Sequence, residues 1–328
     1  MDKMPETIPR DVETFTADNR MSLEQLYVAY DKLLEAGWSK ELIAVQKETL
    51  DDGRVVDLPI YAYKSHTHLT KPIRCLWALG GVHGEEPAGS NAFAKTIPTL
   101  IEYAQQGIPI VLLPVLNPSG YHRDWRYPNV KRGFSEESAT DSRHLIPNST
   151  DPSKPMFPEP SSETADQITK WVLEQSKSYL PLLVFDHHED EADTPGKYNT
   201  CVFYHGNPTH LKLAEYVVEI LRKAHLPIIS EGKTVFGTTS GQTIHNGIVI
   251  SPPDGSIDDL LASDVYFRDG EVKEKFSSTV IVVETGFDPS DQKMTLQQRV
   301  NGHILIIKIY GDLWEKLKKL QSNELSSS

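Results

Sequence analysis

Two side chains able to hold a metal ion, His83 and Glu86, stand three residues apart in Trp77-Ala78-Leu79-Gly80-Gly81-Val82-His83-Gly84-Glu85-Glu86-Pro87-Ala88-Gly89. The apolar run Ile73 to Leu79 before them reads as a strand, and a helix is expected from about residue 86. Glycines at 80, 81 and 84 free the backbone to turn sharply, so both side chains can face one point beyond the strand end. A histidine and a carboxylate so placed suit a divalent cation. Glu86 would serve equally as an acidic residue at a helix N-terminus, and the choice rests on residues further along.

Two later strand ends supply them. Leu182 to Phe185 runs into Asp186-His187-His188-Glu189-Asp190-Glu191, and Val280-Ile281-Val282-Val283 runs into Glu284. Side chains alternate along a strand, so Asp186 and His188 share one side and His187 takes the other. His188 is the third expected ligand, with Asp186 orienting its ring. His187 takes that place if the strand already stops at Asp186. The acids from Glu189 to Asp193 read as a solvated loop. Two histidines and one carboxylate leave a fourth position open on Zn²⁺, one ion per chain, which is the arrangement of hydrolytic rather than structural zinc. Glu284 is the expected general base for the attacking water.

Other segments must position these groups. Ser22-x-x-Gln25 has the form of a capping box and opens a helix with Leu23, Leu26, Tyr27, Tyr30, Leu33 and Leu34 at helical spacing, closed by Gly37. Leu42 to Leu50 and Val55 to Tyr63 flank Asp51-Asp52-Gly53 as a hairpin. A helix over 86 to 104 is expected to lead to the apolar run Ile108 to Leu116. The proline-rich stretch 117 to 160, carrying Arg123, Trp125, Arg126, Arg143 and His144, reads as a wall of a binding site. Ser161 opens a further helix. A strand near 200 to 204, a helix near 208 to 223 and a glycine-rich stretch from 232 to 256 follow. A terminal helix carries Ile306, Ile309, Tyr310, Leu313, Leu317 and Leu320 on one stripe. Uninterrupted apolar strands alternating with helices predict an α/β fold with a largely buried, at least partly parallel sheet and its chemistry at the strand ends.

With 38% apolar and 24% charged residues, the chain of 328 residues reads as a soluble globular protein, and no linker forces a split. The expected division is a loose lead-in over 1–20, a helix and hairpin over 21–72 packed on a catalytic domain over 73–320, and a polar tail over 321–328. A net charge of −13 argues against nucleic acid or an anionic membrane as partner. Two cysteines, Cys75 and Cys201, sit in apolar runs, so buried thiols are expected rather than a disulfide. With no apolar leader at the start and no stretch approaching 18 apolar residues, a cytoplasmic location is expected. Oligomeric state is not readable.

His83-x-x-Glu86, Asn117-Pro118-x-Gly120 with Arg123-Asp124-Trp125-Arg126, Asp186-His187-His188, Asp254-Gly255-Ser256-Ile257-Asp258 and Glu284-Thr285-Gly286 form an ordered set over residues 73 to 287. The set resembles the motifs of the zinc carboxypeptidase family, which includes carboxypeptidase A and, as a branch, succinylglutamate desuccinylase and aspartoacylase. The resemblance implies a single domain with a mixed sheet sandwiched between helices. It implies zinc held by His83, Glu86 and His188, with Glu284 as base. Arg126 resembles the arginine that polarises the scissile carbonyl, and Arg143 the one that pairs with the substrate's carboxylate. Asn117, Ser142 and Ile257 are expected among the substrate contacts, Ile257 at the base of a side-chain pocket. Ser142-Arg143 stands where the family has Asn-Arg. Ile250 stands where carboxypeptidase A has a tyrosine.

The expected function is zinc-dependent hydrolysis of an amide bond beside a free carboxylate, most simply by a carboxypeptidase acting on peptides. An N-acyl amino acid deacylase is the alternative among enzymes. A metal-retaining but inactive binding protein is the alternative from another class.

Overall fold

The computed structural model describes residues 12–128, 138–191, 200–233, 243–250, 253–287 and 294–327. In chain order the elements are α1 (Leu23–Glu35), β1 (Ser39–Thr49), β2 (Val55–Lys64), β3 (Ile73–Gly80), α2 (Pro87–Lys95), α3 (Ile97–Gln105), β4 (Ile110–Leu113) and α4 (Pro118–Arg123). Next come α5 (Glu163–Gln175), β5 (Tyr179–Glu191), β6 (Cys201–His205), α6 (Lys212–Lys223), β7 (Glu231–Lys233), β8 (Thr243–His245), β9 (Ile248–Val249) and α7 (Ile257–Ala262). The small hairpin β10 (Val265–Arg268) and β11 (Glu271–Glu274), then β12 (Thr279–Phe287), α8 (Leu296–Ile307) and α9 (Tyr310–Ser327) complete the chain.

Ten strands form one mixed sheet in the order β1-β2-β4-β3-β5-β12-β6-β9-β8-β7. Its centre, β4-β3-β5-β12, is parallel, and the flanking pairs β2/β4 and β12/β6 are antiparallel. Alternation along the central strands divides the core in two. Ala78, Phe185, Ile281 and Val283 pack with α1, α2, α3, α6, α8 and α9 on one face. Trp77, Leu79, Val184, Val280 and Val282 pack with α5 and α7 on the other. The expected sandwich, mixed and in a single domain, is what forms. The hairpin of β1 and β2 is an edge of this sheet rather than an appendage. Ser22 caps α1 in a capping box with Gln25, as its spacing predicts. Among the described residues no helix is long and apolar enough to cross a membrane.

Several boundaries differ from expectation. The helix expected over 86–104 is two, because Pro98 falls in the first turn of α3 and has no N–H for a continuous helix, so the chain breaks at Thr96. The terminal stripe divides between α8, which takes Ile306, and α9; at the break the Tyr103 hydroxyl donates to Lys308 O. The helix expected to open at Ser161 is α5, and its cap is Ser162. Strand β5 does not stop at the acidic motif. β3 pairs it as far as His187, and β12 alone carries the ladder on to Glu191. Glu189 is therefore buried rather than in a solvated loop; Ala192 and Asp193 lie outside the described residues.

The expected loose lead-in is packed where it is described, with residues 1–11 outside. Val12, Thr14 and Arg20 are buried, and Phe15 N donates to His122 O. The expected polar tail continues α9 as far as Ser327.

Candidate functional site

The C-terminal ends of three adjacent parallel strands, β3, β5 and β12, converge on one point. After β3 the chain turns at Gly81 in a left-handed conformation (φ 63°), and a Cβ there would lie 2.8 Å from Ser90 Oγ. Pro87 then starts α2, leaving Glu86 at the helix cap with no capping bond from its side chain. The carboxylate is taken up elsewhere: Oε1 lies 2.7 Å from His83 Nδ1 and Oε2 2.8 Å from His188 Nδ1. Ligand atoms of all three residues fall within 4.8 Å of one another.

This donor set, two imidazole nitrogens and a carboxylate turned toward one another, fits a divalent cation with one side left for water or substrate. Burial and the nearby Arg126 charge push the His83 imidazole down to about 4, the neutral form a ligand requires. Burial works against charge on Glu86, but the two imidazoles hold its carboxyl well below the ordinary range. The other edge of His188 faces a second carboxylate, with Nε2 3.3 Å from Asp186 Oδ2, on the side the alternation predicts; burial opposes charge on this ring, but Asp186 and Glu86 raise its pKa well above the ordinary range, and a cation on the Nδ1 side would take the place of that proton.

His187 points the opposite way. Its Nδ1 lies 2.8 Å from His303 Nδ1 and its Nε2 2.5 Å from the Tyr310 hydroxyl, both in the helical layer behind the sheet. Of the two neighbouring histidines, only His188 can reach the cluster.

Glu284 was expected just past a strand; it lies inside β12, directly opposite His188 in the parallel ladder. It is 8% exposed, and its Oε2 has no hydrogen-bond partner. Burial and the charges of Glu86 and Asp190 raise its pKa well above the ordinary range, against the pull of His188. A buried carboxyl oxygen left without a partner on the residue opposite a candidate ligand histidine is chemically available.

Arg126 is brought to the same place, with Nη1 2.8 Å from Glu86 Oε1 and 3.2 Å from Glu85 Oε1. Its backbone is fixed by the loop it faces: Arg126 O accepts from Asn117 Nδ2 at 3.0 Å and from Gly84 N at 3.3 Å. The His83 loop and the Arg126 loop touch at two glycines, since a Cβ on Gly84 would sit 2.0 Å from the carbonyl carbon of Gly120. Gly84→Ala must push the loops apart. It is expected to weaken metal binding by at least tenfold while secondary structure persists, read by competition titration with a chelating dye and by circular dichroism.

Three expected substrate contacts are not surface groups. Asn117 is fully buried, and its amide is consumed in capping α4 through Gly120 N, in accepting from Gln46 and in holding Arg126 O. Ser142 is fully buried and donates to Thr140 O. Ile257, 1% exposed, belongs to the core between α7 and the sheet. Of the three, Asn117 supports the site through Arg126 O. Arg143 is ion-paired with Asp141 and lies over the ring of Phe157, 4.3 Å from its centroid. The aromatic and carboxylate partners hold its guanidinium in place.

Two contributors carried no signal of their own in sequence. Arg20, from the expected lead-in, donates to Gly84 O at 3.0 Å and Tyr121 O at 2.8 Å and pairs with Asp18 and Asp124, tying down the His83 loop. Glu189 accepts from Ala88 N at 2.6 Å at the start of α2, pairs with Arg299, and donates from its backbone N to Glu86 Oε2 at 3.1 Å. Both act through partners distant in the chain.

A second group, His205, Asp258 and Asp259, also clusters. Here the carboxylates flank opposite edges of one ring, Asp258 at 3.2 Å from Nε2 and Asp259 at 3.6 Å from Nδ1. As at His188, carboxylates on both edges suit a protonated ring. Burial opposes that charge, but the bond to Asp258 and both carboxylate charges push His205 up to about 8.

No protein-family model matches the sequence, and no curated protein matches it. Solved structures do match in fold. One is a candidate metallopeptidase from Shewanella baltica OS155, at 17% identity over 88% of this chain and 91% of the other, with a TM-score of 0.59. Another, from Shewanella denitrificans OS217, has 15% identity over 87% and 88% with a TM-score of 0.58. A metallo-carboxypeptidase from Pseudomonas aeruginosa matches at 16% identity over 91% of this chain and 70% of its own, with a TM-score of 0.51. The fold of this chain is therefore carboxypeptidase-like, similar to that of these metallopeptidases and the metallo-carboxypeptidase.

Proposed function

We propose that this protein is a zinc-dependent hydrolase of an amide bond next to a free carboxylate, acting as a metallocarboxypeptidase. The observation that carries this reading is the meeting of His83, Glu86 and His188 at one point, with Glu284, whose buried Oε2 has no hydrogen-bond partner, opposite His188. Zinc bound there would lower the pKa of water toward about 7 and polarise the scissile carbonyl.

The chain's own groups supply the rest. Glu284 takes the proton from the attacking water and returns it to the leaving amine. Arg126 brings a fixed positive charge to the developing oxyanion. With Glu86 drawn to the cation, Glu85 remains as the partner that holds this guanidinium. Arg143 pairs with the substrate's carboxylate, and Asp141 and Phe157 keep it oriented. The buried free thiols Cys75 and Cys201 accord with a reducing, cytoplasmic setting.

Ile250 favours a second reading. It is 66% exposed and stands where carboxypeptidase A has a tyrosine, so it brings no hydroxyl to a peptide substrate. A small N-acyl amino acid would need none.

A panel of C-terminal peptides and N-acyl amino acids, each with its carboxamide counterpart, separates these readings. Chelation is expected to lower turnover at least about 100-fold, with recovery on adding one equivalent of Zn²⁺. Free acids should exceed their carboxamides by at least about 100-fold in kcat/KM. Full activity in the chelated protein, or indifference to the blocked carboxylate, would contradict the proposal.

A further inference from the structure

Resting on the reading of Arg143 as the carboxylate-binding residue, we propose that Asp259 is a positioning residue for Arg143, acting through the turn Asp254-Gly255-Ser256. Asp259, in α7 and 4% exposed, gathers that turn on one oxygen. Its Oδ2 accepts from Asp254 N at 2.6 Å, Gly255 N at 3.0 Å and the Ser256 hydroxyl at 3.3 Å. His205 Nδ1 lies 3.6 Å from the other oxygen, Oδ1, which makes no hydrogen bond. Three donors on one oxygen fix the turn as a unit.

The turn in turn presses on Arg143. Gly255 O accepts from Ser142 N at 2.7 Å, which sets the backbone just before the arginine. Gly255 itself has φ 102°, and a Cβ added to it would lie 1.9 Å from Arg143 Cγ and 2.9 Å from Cδ. The aliphatic stem of the arginine therefore lies against bare backbone. Asp141 grips the guanidinium through Nε at 2.9 Å, and Phe157 covers its face. Asp141 and Phe157 fix the direction of the head, and the 254–256 turn fixes the height of the stem. A guanidinium meant to take a planar carboxylate by two parallel bonds depends on both.

A purely structural Asp259 would change stability and leave substrate preference alone. A positioning Asp259 changes preference. The quantity to measure is the ratio of kcat/KM for a free-acid substrate to that for its carboxamide, alongside metal content and thermal unfolding, in the full chain loaded with Zn²⁺.

Arg143→Gln sets the floor, with a ratio close to one. Asp259→Ala is expected to move the ratio most of the way to that floor, at least about tenfold and mainly through KM, with one metal per chain retained. Asp259→Asn keeps an acceptor oxygen for the turn and should retain most of the preference. Gly255→Ala, which drives a methyl group into the arginine stem, should reproduce the loss and carries the test alone if Asp259→Ala does not fold.

A parental ratio in both Asp259→Ala and Gly255→Ala, or in the one that folds, with Arg143→Gln collapsed, overturns the positioning role and leaves the carboxylate reading standing. A ratio near one in the parent, or an unchanged ratio in Arg143→Gln, overturns the carboxylate reading and this inference with it.

Discussion

Replacing Glu284 with glutamine is expected to lower kcat by about 10²- to 10⁴-fold while the protein keeps its metal, the range that a lost general base typically spans. Three observations set this expectation. Glu284 is the residue of β12 opposite His188, so it faces the cluster without belonging to it. Its Oε2 is buried and lacks a hydrogen-bond partner, so the carboxylate is not consumed in holding the fold. Burial raises its proton affinity, which suits a group that must take a proton from water and release it to an amine.

Glutamine has the same shape and cannot take the proton. Because His83, Glu86 and His188 are untouched, metal content measured by mass spectrometry should stay at the parental level. A variant with parental metal and kcat within tenfold of the parent would remove Glu284 from the mechanism. Loss of metal instead would mean that its role is electrostatic support of the cation.

The parts of this site that were legible in the sequence were those where chemistry and local geometry coincide. His83 and Glu86 share one short loop, so their spacing and the glycines between strand and helix were enough. The choice of His188 over His187 followed from the two-residue repeat of a strand, and β5, extended through both residues, turns His188 toward His83 and Glu86. Glu284 was placed by the apolar run before it. The same rule, carried two residues further, would have turned Glu189 toward Arg299 and the helical layer. Ending the strand at His188 concealed that. Charge density was taken for exposure, whereas Glu189 stays in the ladder with β12 and its side chain is covered by Arg299 and the start of α2.

Asn117, Ser142 and Ile257 failed for another reason. Their types suit substrate contact, but exposure depends on partners supplied by remote segments: Gln46 for Asn117, Gly255 for the backbone of Ser142 and the sheet for Ile257. Composition offers no means of finding such partners. Pro98, by contrast, announced the break between α2 and α3, and the periodicity on either side of it masked the signal.

Neutralising Glu189 is the substitution expected to cost the fold most. Glu189→Gln should destabilise the protein by about 3–5 kcal/mol, because Arg299, 6% exposed, is left as a buried charge without its carboxylate. For a chain of this size that corresponds to a fall in Tm on the order of 10 °C. Arg299→Met should cost a similar amount for the converse reason. The two together should cost less than their sum, since neither charge is then stranded, and a double-mutant cycle by chemical denaturation reads that coupling directly.

The pair also links stability to the metal. Glu189 accepts from Ala88 N at the first turn of α2, while its own N–H donates to Glu86 Oε2, so the residue that anchors α8 also aims the carboxylate of the cluster. Glu189→Gln is therefore expected to weaken Zn²⁺ binding by about 10- to 100-fold, as losses behind a metal ligand commonly do. A variant that melts within 2 °C of the parent and binds zinc as tightly would show that the buried pair is neither a brace for the fold nor a support for Glu86.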